Sequence, residues 1–197
     1  NAVVLDKTGT ITAGKPTLTD VLPLGTWRNT PDELLAIAVT AERDSEHPLA
    51  AAIVAAAKQR AIAPGRTTAF HAIAGQGVTA DIVLHGRPHT AAVGNTDLID
   101  ALDVGMPVVA ADAPQEDLDA IIADMDRLSA QGKTPMLVAV DGALAGIVAV
   151  ADVPKDDSRR AIELLAERGI ATVMLTGDNA TTARAVADQV GIRHVVA

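Results

Sequence analysis

Two stretches far apart in the chain carry the residue types that phosphoryl chemistry needs. Asp6 ends the apolar run Ala2-Val3-Val4-Leu5, and Thr176-Gly177-Asp178 ends the run Ala171-Thr172-Val173-Met174-Leu175. Apolar runs of that length read as buried strands of a parallel sheet. Open α/β sheets bind ligands outside the carboxyl ends of their strands, which is where these side chains fall. If the two strands are neighbours, a carboxylate nucleophile, a hydroxyl and a second carboxylate converge on one crevice. A helix opening at Ala180 would aim its free N–H groups at the same place. That set suits phosphoryl transfer. Mg²⁺ is expected with it, because Asp6 must approach a phosphate of its own charge sign. On spacing alone both aspartates read equally as strand-end turn formers, since Asp is common in turns.

The elements that must position these residues follow from periodicity. Ser158 to Arg168 has apolar residues at Ala161, Ile162, Leu164 and Leu165, and Gly169 sits where a helix ends. Ala180 to Val190 carries Ala183, Val186, Ala187 and Val190 on one face, then Gly191. His194-Val195-Val196 begins a third strand. The two ends of the chain therefore read as β…αβαβ, a parallel sheet with crossover helices. The middle reads differently. Thr17 to Leu24 is a candidate strand, and Thr30-Pro31-Asp32-Glu33 reads as a capping box opening a helix to about Arg43. Pro48 to about Ala61 is an Ala-rich helix. Val78–Leu84 and Thr90–Val93 form a hairpin candidate across His85-Gly86-Arg87. Gln115 to about Ala130 is a further helix, and Met136–Val140 and Leu144–Val150 flank an Asp141-Gly142 turn, a strong hairpin signal. The expected organisation is a discontinuous parallel α/β domain, residues 1–14 and 151–197, with an antiparallel α+β domain, residues 15–150, inserted after its first strand.

Composition removes other classes. The 197 residues carry 16 Lys+Arg against 25 Asp+Glu, a net charge of −9, which argues against nucleic-acid binding. There is one Trp, one Phe and no Tyr, so stacking platforms for single strands are excluded. Cys is absent, which removes disulfides, thiolate metal sites and thiol nucleophiles. No apolar run approaches the roughly 18 residues of a membrane span, and no signal peptide is visible. The acidic cluster from Asp112 to Asp126 reads as a solvated helix face. His71, His85, His89 and His194 lack metal-ligand spacing, apart from the pair His85 and His89 on either side of a turn, where a zinc site is not expected.

The strings themselves add a resemblance. Asp6-Lys7-Thr8-Gly9-Thr10 (DKTGT) is similar to the phosphorylation signature of the P-type ATPases, and Thr176-Gly177-Asp178-Asn179 (TGDN) resembles their second phosphate-site motif, in the same order. The resemblance implies a haloacid-dehalogenase-like phosphorylation domain with an inserted nucleotide-binding domain, in agreement with the topology read from periodicity. It implies that Asp6 becomes the aspartyl phosphate, with Lys7, Thr8, Thr176, Gly177 and Asp178 around the transferred group and Asp6 and Thr8 contributing a partial Mg²⁺ site. Related phosphatases usually carry Asp two residues after the nucleophile. Thr8 stands there instead, and an uncharged hydroxyl is a poor general base, so the phosphoenzyme should persist.

The inserted module resembles the heavy-metal-transporting branch. Ser45-Glu46-His47-Pro48-Leu49 (SEHPL) is similar to that branch's nucleotide motif, Gly75-Gln76-Gly77-Val78 to its GxG element, and Val93-Gly94-Asn95 to a third. The resemblance implies ATP contacts from Glu46, His47, Gly75, Gly77, Val78 and Asn95. Physically, His47 can stack on or hydrogen-bond to adenine, Glu46 can accept from its exocyclic amine, and glycines admit a nucleotide where a Cβ would block it. Alone, His47 would read as an ordinary residue before a helix, and one GxG as an ordinary loop. Asp152-Val153-Pro154-Lys155 resembles the family's hinge signature, which places Asp152 near the nucleotide. The implied whole is a copper-leaning metal exporter at the cytoplasmic face of the plasma membrane, partnered in its parent by membrane and actuator domains. The chain itself is expected to be a monomeric fragment with an incomplete phosphorylation domain, weak ATP binding and little turnover. Two alternatives remain at this level: a haloacid-dehalogenase-like phosphatase, and a non-catalytic nucleotide-sensing module.

Overall fold

A computed structural model describes residues 1–25, 30–105 and 118–197. The chain divides into two compact units: Asn1–Pro16, Asp126–Thr134 and Ala151–Ala197 form the first, and Thr17–Met125 with Pro135–Val150 the second.

The first unit is built on three parallel strands in the order β1 (Ala2–Asp6), β8 (Ala171–Leu175), β9 (His194–Val196). Helices α5 (Ser158–Glu167) and α6 (Ala180–Val190) supply the crossovers that parallel pairing requires. Their apolar faces meet Met174 in a core of Ile11, Ile162, Ala183, Val186, Ala187, Val190 and Ile192. Asn179 caps α6 by accepting the Thr182 N–H at 2.9 Å, and Gly191 closes it in the left-handed conformation. The face of the sheet away from these helices leaves Val4, Leu175 and Val196 exposed.

The second unit carries a six-stranded sheet in the order β2 (Thr17–Pro23), β7 (Ala143–Ala151), β6 (Thr134–Val140), β5 (Arg87–Gly94), β4 (Gly77–Leu84), β3 (Arg66–Ile73). β3, β4, β5 and β6 pair antiparallel. The Asp141-Gly142 turn has positive φ at both residues (49° and 79°), the type I′ geometry that suits hairpin twist. Helix α1 (Pro31–Glu42) is apolar nearly all round, because it packs between α2 (Pro48–Gln59) and the sheet. Thr30 precedes α1, but its side chain does not form the expected cap bond; Pro31 at the first helical position carries the start instead. The sequence reading missed β3 and the short helix α3 (Thr96–Ala101). The helix expected from Gln115 is seen as α4 (Leu118–Ala130), and 115–117 lie outside the described residues.

Candidate functional site

The site in the first unit is made by strand pairing. β1 runs parallel to β8 with Asp6 level with Leu175, so Asp6 and Thr176 stand at the same carboxyl edge of neighbouring strands, about 5 Å apart in the pairing direction. Asp6, Thr8 and Gly177 are exposed, and Thr176 is half-buried. Lys7 points inward and is 6% exposed. Its ammonium meets the carboxylate of Asp178, whose Oδ2 is sealed from solvent. A buried cation needs such a partner. The Asp178 N–H donates to Thr176 Oγ1 at 3.2 Å, closing the turn that leads into α6. The strand register and the Lys7–Asp178 ion pair thus set the segments Asp6-Lys7-Thr8 and Thr176-Gly177-Asp178 side by side at one edge of the sheet.

The Lys7–Ile11 loop after β1 is held from a second side. Thr12, fully buried, accepts the Gly9 N–H at 3.3 Å and contacts the Asp152 carboxylate through its hydroxyl. The Lys15 N–H donates to the other Asp152 oxygen at 3.2 Å. Lys155 Nζ donates to the Gly9 carbonyl at 2.6 Å, and Ser158 Oγ to the Ile11 carbonyl at 2.6 Å. Backbone bonds from Ala13 to Val153 and from Lys155 to Ile11 zip the two passages together. Both carboxylate oxygens of Asp152 therefore bond the chain just beyond this loop, one at Thr12 and the other at Lys15.

The nucleotide-motif residues lie in the second unit. Gly75 and Gly77 make the turn between β3 and β4, with φ of 74° and 147°. A Cβ on Gly77 would collide with the Val93 carbonyl and the Gly94 Cα, whereas one on Gly75 would meet open space. Val78 is buried in the core beneath this turn. Asn95 fixes the turn: its amide donates to the Gly75 carbonyl at 3.1 Å, its N–H to the Gln76 carbonyl at 2.9 Å, and its Oδ1 accepts the Leu98 N–H as the cap of α3. Glu46 and His47 are exposed. His47 caps α2, with Nδ1 accepting the Leu49 N–H at 3.3 Å. That bond leaves Nε2 as the ring nitrogen free to meet a ligand.

One residue beside this motif escaped the sequence reading. Glu42, at the end of α1, is 5% exposed, and Oε2 has no hydrogen-bond partner. Burial pushes its carboxyl up to about 7, opposed by the Ser45 side chain. Ser45 in turn accepts the His47 N–H at 3.3 Å. An apolar helix that ends in a buried acid was the available signal. Among the described residues, no cluster of three or more His, Asp or Glu could hold a metal ion, and no helix is long and apolar enough to cross a membrane.

The family model of haloacid dehalogenase-like hydrolases matches residues 1–197. Over its full length the chain is 41% identical to a copper-exporting P-type ATPase of Bacillus subtilis (strain 168) and 43% identical to one of Staphylococcus aureus (strain MRSA252). It spans 22% of the length of each. Among solved structures it resembles a zinc-transporting PIB-type ATPase in the E2.Pi state, with TM-score 0.68 and 29% identity over 99% of this chain and 28% of that one. The catalytic domain of the CPx-ATPase CopB-B shares the fold, with TM-score 0.63 at 21% identity over 99% of this chain and 60% of that one.

Proposed function

The chain belongs to the haloacid dehalogenase-like hydrolases, and we propose that it is the ATP-binding and phosphorylation segment of a heavy-metal-exporting P-type ATPase, with monovalent copper as cargo. The observation that carries this reading is the parallel β1–β8 pairing, which sets Asp6 beside the Thr176-Gly177-Asp178 loop. The 41–43% identity over the whole chain to relatives named as copper exporters supports copper.

In this reading an Asp6 carboxylate oxygen attacks the γ-phosphorus of ATP. The bond from that phosphorus to the bridging oxygen breaks, and ADP leaves with its electron pair. Thr176 and the Gly177 N–H receive the transferred group, near the N-terminus of α6. Lys7 and Asp178 neutralise one another and hold the two loops in register. Thr8, having no carboxyl, does not activate water against the acyl phosphate. Exposed oxygen donors at Asp6 and Thr8 suit a hard cation; they would hold Mg²⁺, which would supply charge neutralisation between carboxylate and phosphate. In the second unit, His47 Nε2 and Glu46 meet adenine, Gly75 leaves open space for the nucleotide, and Gly77 and the buried Val78 act by shaping and supporting the turn rather than by contact. Asn95 acts by holding the glycine turn. In the parent, membrane and actuator domains complete the pump at the cytoplasmic face of the plasma membrane.

The test is formation of an acid-stable, hydroxylamine-sensitive phosphoprotein from γ-labelled ATP and Mg²⁺ in the parent protein. Label should disappear in Asp6→Asn. Label that survives this substitution defeats the reading.

A further inference from the structure

We propose that Thr12, Asp152 and Lys155 form a clamp that sets the conformation of the Lys7–Ile11 loop, making them positioning residues for Asp6 and Thr8 and turning Asp152 away from nucleotide contact. The inference rests on the phosphoryl-transfer reading above but is carried by separate contacts. Thr12 lies at the junction. Its hydroxyl has one proton to give and two acceptors in reach, the Lys7 carbonyl at 3.0 Å and the Asp152 carboxylate. The Lys7 carbonyl is already served by the Thr12 N–H at 3.0 Å. The hydroxyl proton therefore goes to the carboxylate, where a charged acceptor makes the stronger bond. The lone pairs of the same oxygen accept the Gly9 N–H.

The remaining bonds close the clamp. Asp152 is half-buried, and its second oxygen takes the Lys15 N–H. Lys155 reaches back to the Gly9 carbonyl, so Gly9 is gripped at its N–H by Thr12 and at its C=O by Lys155. Gly9 sits between Thr8 and Thr10, three residues beyond Asp6. Fixing both of its peptide groups fixes the course of the chain that leaves the nucleophile. An attacking oxygen must be held in line to within a fraction of an ångström, and small misplacements cost large factors in rate. A clamp of this kind acts on the chemical step rather than on ATP affinity.

Thr12→Val removes the hydroxyl at constant shape, and Thr12→Ser restores it. In the parent protein, Thr12→Val and Asp152→Asn should each lower the rate of phosphoprotein formation at saturating ATP at least tenfold, with the KM for ATP within twofold of the unsubstituted protein. Thr12→Ser should return the rate to within threefold. A rate unchanged in Thr12→Val, or a KM raised in step with the fall in rate for Asp152→Asn, overturns the proposal. A second measurement does not depend on catalysis. In the chain itself, amide hydrogen exchange at Gly9 and Lys15 should quicken at least tenfold in Asp152→Asn, while exchange in α6 stays unchanged. If Asp6→Asn keeps its label, the phosphoryl-transfer reading falls and the exchange result alone judges the clamp; unchanged exchange at Gly9 and Lys15 then removes it as well.

Discussion

Lys7 and Asp178 lie at opposite ends of the sequence, and their side chains form an ion pair at the carboxyl edge of the parallel sheet. Each residue follows or closes a strand end, so the pair locks two loops that only tertiary folding brings together. Lys7 is almost wholly buried, and Asp178 is its counter-charge.

Removing one partner should therefore cost more than removing both. Asp178→Asn leaves a buried ammonium uncompensated and should destabilise the first unit by about 3 kcal/mol. The double variant Lys7→Met/Asp178→Leu should recover most of that loss. Urea denaturation of the single and double variants checks the difference, and a double variant as unstable as Asp178→Asn would contradict the pairing.

Glu42 should make stability depend on pH. Its carboxyl is raised from 4.5 to about 7 by burial, so between those values the folded chain holds a proton that the unfolded chain releases. The contribution of Glu42 to stability is then fully present below pH 4.5, falls as pH rises to about 7, and levels off above, a span of about 3 kcal/mol. Glu42→Gln should remove the slope and be more stable than the unsubstituted chain at pH 8. Denaturant midpoints measured from pH 4.5 to 8 test both statements.

His47 does two jobs that substitution can separate. His47→Ala loses the cap of α2 and should cost about 1 kcal/mol. His47→Asn keeps a capping oxygen and should hold stability within about 0.5 kcal/mol, yet lose the ring that meets adenine. An ATP titration followed by amide NMR should perturb Glu46, His47, Gly75 and Gly77 in the unsubstituted chain. In His47→Asn those perturbations should need at least tenfold more nucleotide.

The two glycines of the β3–β4 turn should differ in kind. Gly75→Ala adds a methyl group in open space and meets only the backbone strain of positive φ, about 1 kcal/mol. Gly77→Ala drives a methyl group into the backbone of Val93 and Gly94, which cannot move aside, and should cost at least twice as much. Thermal unfolding of both variants ranks them.

Much of the site was readable from the chain because it is written in short strings. Apolar runs that stop at Asp6 and at Thr176 announce strands and their reactive ends together, and Asp141-Gly142 announces its own turn. Strand β3 was hidden because its pairing slips between Thr67 and Ala69, which breaks the alternation that marks a strand. Helix α3 has six residues, too few for a helical period to register. The roles of Thr12 and Asn95 were invisible for another reason. Their partners, Asp152 and Gly75, are 140 and 20 positions away, and no local pattern encodes a hydrogen bond at that range.

The bare side of the parallel sheet, where Val4 is 61%, Leu175 47% and Val196 54% exposed, bears on how the chain behaves as a colloid. At low ionic strength a net charge of −9 keeps molecules apart. Added salt shortens the reach of that repulsion to about 8 Å near 0.15 M and leaves the greasy strands free to adhere. Light scattering should therefore report growing particle size with sodium chloride, and Val4→Thr should delay its onset.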